Sequence, residues 1–222
     1  MRTLAIGDIH GCATALRTLL DAIALTPEDT LVTLGDYVDD GPDSNSVIGL
    51  LLRVERKCNL VPLLGNHEQM MLEARHSDER MTEWLRCGGG ATLKSYRRAN
   101  DTGQLSDVPD AHWKFLETRC VNYFESQKHF FVHANAYPDM DLDAQPEYML
   151  RWEQLHDATP HQSGKIMVCG HTSQKDGKIL DLHHAICIDT RACKGGWLTC
   201  LDVDSRKFWQ ANQEGELKTG RI

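Results

Sequence analysis

Three short motifs in the first third of the chain carry residue types that bind metal ions and transfer protons. They are Gly7-Asp8-Ile9-His10-Gly11, Gly35-Asp36-Tyr37-Val38-Asp39-Asp40-Gly41 and Gly65-Asn66-His67-Glu68. Each motif follows an apolar run, which predicts a loop at the carboxyl end of a buried strand. Because ligands gather at that edge of open α/β sheets, the three loops are expected to lie together.

Two later segments again place a histidine just after an apolar run, Phe130-Phe131-Val132-His133 and Val168-Cys169-Gly170-His171. Two neighbouring divalent ions need a shared carboxylate, further oxygen and nitrogen ligands, and open positions for water and substrate. One ion is predicted to take Asp8, His10 and Asp36. The other is predicted to take Asp36, Asn66, His133 and His171. Mixed imidazole and oxygen ligands suit manganese, iron or zinc and not calcium. Two divalent ions are the expected cofactors, manganese ahead of iron or zinc.

His67 directly follows Asn66, so it is expected to lie beside the metals without binding them. An imidazole in that place can protonate a leaving oxygen as a general acid. Asp39, in the middle motif, can accept a hydrogen bond from His67. Such a bond would fix the tautomer of the ring and raise its pKa. His67 and Asp39 are therefore the predicted catalytic residues.

This ordered set of five segments resembles the PPP family of metallophosphoesterases. The family includes the bacterial-type serine/threonine phosphatases and their diadenosine tetraphosphatase relatives. Its pattern is G-D-x-H-G, then G-D-x-x-D-R-G, then G-N-H-E, then two separate histidines. Further stretches look like the bacterial members, so the resemblance covers nearly the whole chain. They are Trp84 with Gly89-Gly90-Ala91-Thr92-Leu93-Lys94-Ser95-Tyr96, Cys169-Gly170-His171-Thr172, and Ile188-Asp189-Thr190-Arg191-Ala192-Cys193-Lys194-Gly195-Gly196.

The resemblance implies an α/β fold, a metallophosphoesterase-type β-sandwich flanked by helices, with a helical insertion after the third strand. It also implies that His67 is the general acid and that Asp39 is its partner. The residues that match the family's metal ligands are Asp8, His10, Asp36, Asn66, His133 and His171. A hydroxide bridging two divalent ions would then attack phosphorus directly, with no phosphoenzyme intermediate.

The chain departs from the family pattern at Asp40, where the family normally has an arginine that holds the substrate phosphate. A carboxylate cannot donate a hydrogen bond to phosphate and repels it. Either another cation serves or the preferred substrate differs, unless Asp40 points away from the site. Arg151 lies where bacterial members keep a second phosphate-binding arginine, and Arg191 stands where they usually have glycine. Arg151, Arg191 and Asn66 are the predicted substrate-binding residues.

The order of apolar segments indicates a βαβαβ opening and one domain over 1–222. Strands are predicted at 2–6, 30–34 and 59–64, with helices at 12–24 and 43–56, and Ser44 as the N-cap of the second helix. A helical insertion is predicted over about 67–118 and includes a helix from Ala91 to Arg98. Later strands are predicted at 129–132, 166–170, 178–182, 185–188, 197–203 and 206–210.

The composition bears on partners and compartment. A formal net charge of −8 argues against nucleic acid as the main partner, because binding to a phosphate backbone requires a basic face. The eight cysteines form no C-x-x-C pair, which favours free buried thiols in a reducing cytoplasm. No secretion signal and no membrane-spanning run is predicted. Five histidines outside the motifs are predicted to lie on the surface: His76, His112, His129, His156 and His161.

These patterns predict a metal-dependent hydrolase of phosphomonoesters, with phosphoproteins as the expected substrates. Serine and threonine phosphates are the default by resemblance, and Asp40 makes phosphotyrosine or a small phosphoester more plausible than usual. One alternative is a hydrolase of dinucleoside polyphosphates, which needs extra cations for several phosphates. The other is a phosphate-binding protein without catalysis, against which the intact ligand set and His67 argue. The oligomeric state is not predicted.

Overall fold

The computed structural model describes residues 1–97, 101–156 and 159–222. Its opening alternates strands and helices as predicted: β1 (Thr3–Ile6), α1 (Ala13–Ile23), β2 (Thr30–Thr33), α2 (Ser44–Val54) and β3 (Asn59–Pro62). β2 pairs in parallel with β1 on one side, Leu31 opposite Leu4, and with β3 on the other. The parallel strands therefore end at one edge, where the first three motifs begin.

Helices then fill the region predicted as an insertion: α3 (Asn66–Glu73), α4 (Asp78–Trp84), α5 (Gly90–Tyr96) and α6 (Asp110–Thr118). A kink at Leu85–Gly89 connects α4 to α5, and its backbone is non-helical at Cys87 and Gly88. Gly88 has a φ of +103°, which favours glycine over residues that carry a Cβ. The sequence predicts that the helix beginning at Ala91 ends at Arg98, and Arg98 lies outside the described residues.

The remaining elements are β4 (Tyr123–Glu125), β5 (His129–Val132), α7 (Glu147–Trp152), β6 (Ile166–Cys169), β7 (Leu180–Asp181), β8 (Ala185–Cys187), β9 (Leu198–Asp202), β10 (Lys207–Ala211) and β11 (Leu217–Arg221). The described strands form two mixed sheets. One has the order β11-β10-β9-β1-β2-β3 and the other β4-β5-β6-β8-β7. Among the later strands, β9 pairs antiparallel with β1, so both halves of the chain contribute to the first sheet.

The two sheets pack face to face, because alternate residues of each strand are apolar on that side. Val32 from the first sheet meets Phe131 and Val168 from the second in one buried cluster. The outer face of the first sheet packs on α1 and α2 through residues such as Leu31 and Leu51. The predicted α/β sandwich flanked by helices is therefore confirmed, and burial of this apolar surface stabilises it.

Some sequence predictions are wrong or incomplete. Asp43, not Ser44, caps α2, because its side chain accepts a hydrogen bond from the Ser46 N–H at 2.9 Å. The Ser44 hydroxyl is fully buried and lies 3.0 Å from the Thr92 hydroxyl instead. The elements that were not predicted are β4, α7 and β11. Within the described residues, no helix combines the length and apolar character required to cross a bilayer.

Candidate metal centre and active site

The loops after strands of both sheets meet at one cleft of about 260 Å³. The first two loops are joined because the His10 N–H donates to the Asp36 carbonyl at 2.7 Å. Several polar residues of these loops adopt left-handed backbone conformations: His10, Asp36, Asp39, Asp40 and His171, with φ between 43° and 71°. Such conformations are costly for residues other than glycine and concentrate at functional sites.

Asp36 lies at the centre of the cleft and is buried. Its Oδ1 lies 3.5 Å from His133 Nε2, and its Oδ2 lies 3.5 Å from His10 Nε2. Each carboxylate oxygen therefore faces a different histidine, an arrangement in which one carboxylate can serve two ions. Burial alone would raise the pKa of Asp36, but the surrounding histidines lower it below its usual value, which favours the carboxylate.

Three histidines are fixed in one tautomer by backbone carbonyls. His10 Nδ1 lies 3.0 Å from the Val38 carbonyl, and His133 Nδ1 lies 2.7 Å from the Leu34 carbonyl. His171 is bonded through Nε2, 3.0 Å from the Trp152 carbonyl. A carbonyl only accepts, so each of these nitrogens must carry the proton. The other nitrogen of each ring then presents a lone pair towards Asp36 or Asn66, as in histidines that bind metals.

The ligand atoms suit a cation, because three atoms with lone pairs converge and none of them carries a hydrogen that points at another. Asn66 Oδ1 lies 3.0 Å from His133 Nε2 and 3.1 Å from His171 Nδ1. Burial lowers the pKa of His133 to about 4, which keeps this ring neutral. Converging lone pairs in a buried place repel one another unless a cation lies among them. Asp36, His133 and His171 are also close enough together to hold one ion.

A second group of described residues is close enough to hold an ion, and it consists of His10, Asp36 and His67. The sequence had predicted Asp8 as the third ligand of this ion. Asp8 lines the same cleft, and its Oδ2 accepts a hydrogen bond from the His171 N–H at 2.9 Å. Burial, together with the nearby carboxylates of Asp189 and Asp36, raises the pKa of Asp8 well above its usual range. Divalent ions relieve this kind of crowding among carboxylates.

His67 and Asp39 form the contact expected from the sequence. His67 Nδ1 lies 2.8 Å from Asp39 Oδ2, in a carboxylate that is completely buried. The Trp84 indole N–H and the Thr92 hydroxyl also donate to this carboxylate, at 2.8 and 2.7 Å. Burial opposes protonation of His67, but the Asp36 charge and the bond to Asp39 outweigh it and raise the pKa of His67 to about 9.

Comparison with known proteins agrees with this geometry. A family model described as calcineurin-like phosphoesterase matches residues 1–186. The chain belongs to this family of hydrolases. Its members use a dinuclear metal centre, and the converging His10, Asp36, Asn66, His133 and His171 atoms are the candidate ligands in this chain.

The chain is similar to relatives with different names. It is 33% identical over 207 residues to serine/threonine-protein phosphatase 1 of Salmonella typhimurium, covering 89% of this chain and 90% of that protein. It is 32% identical over 158 residues to a symmetrical bis(5'-nucleosyl)-tetraphosphatase of Pseudomonas putida, covering 68% of this chain. The chain spans about half the length of such tetraphosphatases. The resemblance to the PPP family is therefore confirmed.

Solved structures share the fold at lower identity. A cold-active protein-tyrosine phosphatase of a psychrophilic Shewanella species has a TM-score of 0.64 and 19% identity, covering 98% of this chain and 80% of its own. A serine/threonine phosphatase of Saccharomyces cerevisiae, described as similar to human phosphatase PP5, has a TM-score of 0.61 and 14% identity. It covers 100% of this chain and 80% of its own. These similarities support the fold and not a particular substrate.

Asp40 and Arg191 both line the cleft. The sequence had left open that Asp40 points away from the site, and the structure shows that it does not. Its Oδ2 lies 3.3 Å from Lys194 Nζ. Arg191 has a φ of 63°, a conformation that suits the glycine usual in bacterial members. Lys175 also lines the cleft, so the cavity that holds Asp40 carries several cations.

Arg151 is placed differently from the other predicted residues. It is buried on α7, and its guanidinium bonds to the Glu147 carboxylate, to Asn122 Oδ1 at 2.6 Å and to Gln69 Oε1 at 3.2 Å. It is not among the described residues that line the cleft. Its partners already use most of its donors, so the geometry gives the predicted phosphate contact no support.

Two acidic residues in or behind the site were not singled out from the sequence. The Glu68 carboxylate accepts the backbone N–H groups of Tyr37 at 2.7 Å, Asp36 at 2.8 Å, Gly65 at 3.0 Å and Val38 at 3.2 Å. Its position three residues after Gly65 is that of a capping box and could have identified it. Asp189 follows the apolar run of β8, the same pattern that identified the other loops.

Proposed function

We propose that this chain is a metal-dependent phosphatase that hydrolyses phosphomonoesters, most often on phosphoproteins. The observation that carries the proposal is the convergence of lone pairs from Asn66, His133 and His171 beside the His67–Asp39 pair. Asp8, His10 and Asp36 complete the proposed ligand set, and manganese is the proposed metal. The bound ions would activate a water molecule and neutralise charge on the phosphoryl oxygens.

His67 is the proposed general acid. Its Nδ1 is bonded to Asp39, so Nε2 is the nitrogen left to face the cleft, 4.0 Å from Asp36 Oδ2. The Asp39 carboxylate accepts hydrogen bonds from His67, Trp84 and Thr92. It keeps one proton on His67 Nδ1, and the raised pKa of His67 favours a second proton on Nε2. His67 can therefore give that second proton to the leaving oxygen of the substrate.

The test uses leaving groups of different basicity with the manganese-loaded protein. p-Nitrophenolate leaves without much need of a proton, whereas the alkoxide of a phosphothreonine peptide requires one. We expect His67→Asn to lower kcat on the peptide about 10²- to 10⁴-fold and to lower it much less on p-nitrophenyl phosphate. His183→Asn is the matched control, because His183 lies in the exposed β7–β8 turn. Equal losses on both substrates would contradict the role of His67 as the acid.

The phosphoprotein substrate class rests on similarity over most of the chain to a protein named serine/threonine-protein phosphatase 1. Phosphothreonine and phosphotyrosine peptides at equal concentration test it directly. We expect turnover of the phosphothreonine peptide to be the faster. Metal binding without turnover of any phosphoester would favour a non-catalytic phosphate-binding protein instead.

A dinucleoside polyphosphate hydrolase is the second candidate, and the cations of the cleft favour it. Lys175, Arg191 and Lys194 line the same cavity as the proposed metal ligands, so several phosphates would find positive charge there. Relatives named bis(5'-nucleosyl)-tetraphosphatase are 32% identical over part of the chain. Diadenosine tetraphosphate belongs in the same panel at the same concentration. A higher kcat/KM on it than on the phosphothreonine peptide would select this candidate.

Arg191 is proposed to contact the substrate phosphate. Arg191→Gly removes the guanidinium and suits the left-handed backbone at this position. We expect this variant to raise KM with little change in kcat. A phosphate contact that is equally strong in the bound substrate and in the transition state affects binding alone. An unchanged KM would argue against the contact.

A further inference from the structure

Lys194 and Asp40 form an ion pair at the mouth of the proposed active site. The distance from Lys194 Nζ to Asp40 Oδ2 is 3.3 Å, and both residues line the cleft with His67 and Asp36. The Lys194 side chain is 58% exposed and that of Asp40 is 30% exposed. Substrate that enters the cleft therefore meets this pair directly.

The backbone and its neighbours hold Asp40 in place. Asp40 follows Asp39, whose carboxylate bonds to His67, and the Gly41 N–H donates to the Asp39 carbonyl at 2.7 Å. On the other side, Gly88 packs so closely that a Cβ there would lie 2.7 Å from Asp40 Oδ1. One oxygen of Asp40 is thus covered by Gly88, and the other oxygen faces Lys194. The loop that positions His67 also positions the carboxylate that restrains Lys194.

The negative charge of the cleft requires a cation close to the substrate phosphate. Asp8, Asp36, Asp40 and Asp189 all line it, and a phosphate dianion would be repelled by them. Divalent ions at the ligand set offset Asp8 and Asp36, which lie with the ligands. Asp40 is outside the proposed ligand set, so its charge must be offset by a cation of the protein. Lys194 is the cation paired with it.

Resting on the proposed phosphatase function, we propose that Lys194 binds the substrate phosphate and that Asp40 positions Lys194 for this contact. An ion pair this exposed is weak, so the lysine can move its hydrogen bonds from Asp40 to a phosphate oxygen at small cost. Asp40 limits the conformations of a long, flexible side chain before substrate arrives. Lys194 also stands between the phosphate and the Asp40 carboxylate and so screens their repulsion.

The test measures inorganic phosphate binding to the manganese-loaded protein by titration calorimetry, with metal content checked in every variant. We expect Lys194→Met to weaken phosphate binding about 10- to 100-fold, the effect of one charge-assisted hydrogen bond. Lys178→Met is the matched control, because Lys178 belongs to the same segment as Lys175 but is 82% exposed and does not line the cleft. Phosphate affinity in this control is expected to match the wild type.

The variant Asp40→Asn tests whether Asp40 positions Lys194 or only repels phosphate, because the two roles change phosphate affinity in opposite directions. With Lys194 present, the variant is expected to weaken phosphate binding severalfold, because the lysine loses its restraint. In the Lys194→Met background, the same change is expected to strengthen binding, because an unscreened carboxylate is removed. Tighter phosphate binding by Asp40→Asn in both backgrounds would overturn the positioning role, and normal binding by Lys194→Met would overturn the phosphate contact.

Steady-state kinetics separate this inference from the function on which it rests. We expect Lys194→Met to raise KM for the phosphothreonine peptide while kcat stays near the wild-type value. Absence of turnover by the wild-type protein on every phosphoester would refute the proposed function. Phosphate calorimetry would still decide whether Lys194 and Asp40 bind phosphate as described.

Discussion

Glu68 is predicted to be essential for stability, although its carboxylate does not line the proposed active site. The carboxylate accepts four buried backbone N–H groups, from Asp36, Tyr37, Val38 and Gly65, at 2.7 to 3.2 Å. Each oxygen accepts two of them. The change Glu68→Gln replaces one oxygen with an NH₂ group, which cannot accept. Two backbone N–H groups then lose their acceptor in a place that water does not reach.

The cost follows from those two groups. Each buried donor left without an acceptor costs about 1–3 kcal/mol, so Glu68→Gln should lower the free energy of unfolding by about 2–6 kcal/mol. Loss of the contact also frees the loop that carries Asp36, and changes that loosen metal ligands in this way typically cost about 10- to 100-fold in metal affinity. Both effects should appear without any change in a residue that contacts the metal.

Urea unfolding of the metal-free protein measures the first effect, and manganese titration measures the second. Glu73→Gln is the matched control on the same helix α3, because Glu73 is partly exposed and contacts Gln69 and Arg80. Surface changes of this kind stay within about 0.5 kcal/mol. A destabilisation of Glu68→Gln below about 1 kcal/mol would show that the amide finds acceptable partners and would refute the reasoning.

Three further changes have defined outcomes. Gly170→Ala places a Cβ against the Asp8 carboxylate and should reduce manganese affinity at least about 10-fold in calorimetry, whereas Gly90→Ala, with open space around it, should not. Trp84→Phe removes a hydrogen bond to Asp39 and should lower the melting temperature and the peptide kcat. Hydrogen bonds from Arg2 lower the pKa of Asp29, so Asp29→Asn should cost about 1–3 kcal/mol in urea unfolding near neutral pH. This cost should fall progressively below about pH 4, where the wild-type carboxylate takes up a proton in the unfolded chain but stays ionised in the folded protein.

Much of the site could be predicted because strand ends position side chains by a local rule. Leu31 and Val32 face opposite sides of β2, and the chain leaves that strand at the sheet edge just before Asp36. The same rule applies after β1, β5 and β6, so the loops with His10, His133 and His171 come together around Asp36. Residue type and a short apolar run were enough to predict this much.

Contacts between distant segments could not be predicted from the sequence. The short helix α7 has too few residues for a clear periodicity, yet the carbonyl of its last residue, Trp152, fixes the tautomer of His171. Surface positions were predicted for His112, His129 and His161, which is wrong because all three are buried. His112, for example, lies 2.9 Å from the Tyr96 hydroxyl, a partner that satisfies a polar ring inside the fold.

Asp40 shows why a single unusual residue cannot be interpreted without its neighbours. From the sequence, a carboxylate in place of the family's arginine suggested weakened phosphate binding or a different substrate. In the structure the carboxylate is 3.3 Å from Lys194, which the chain supplies more than one hundred and fifty positions later. If the pair acts together, the cleft keeps a cation near the phosphate although the arginine is absent. Asp40 without Lys194 would repel phosphate, and Lys194 without Asp40 would be poorly positioned, so the two residues must be changed together to measure what either does.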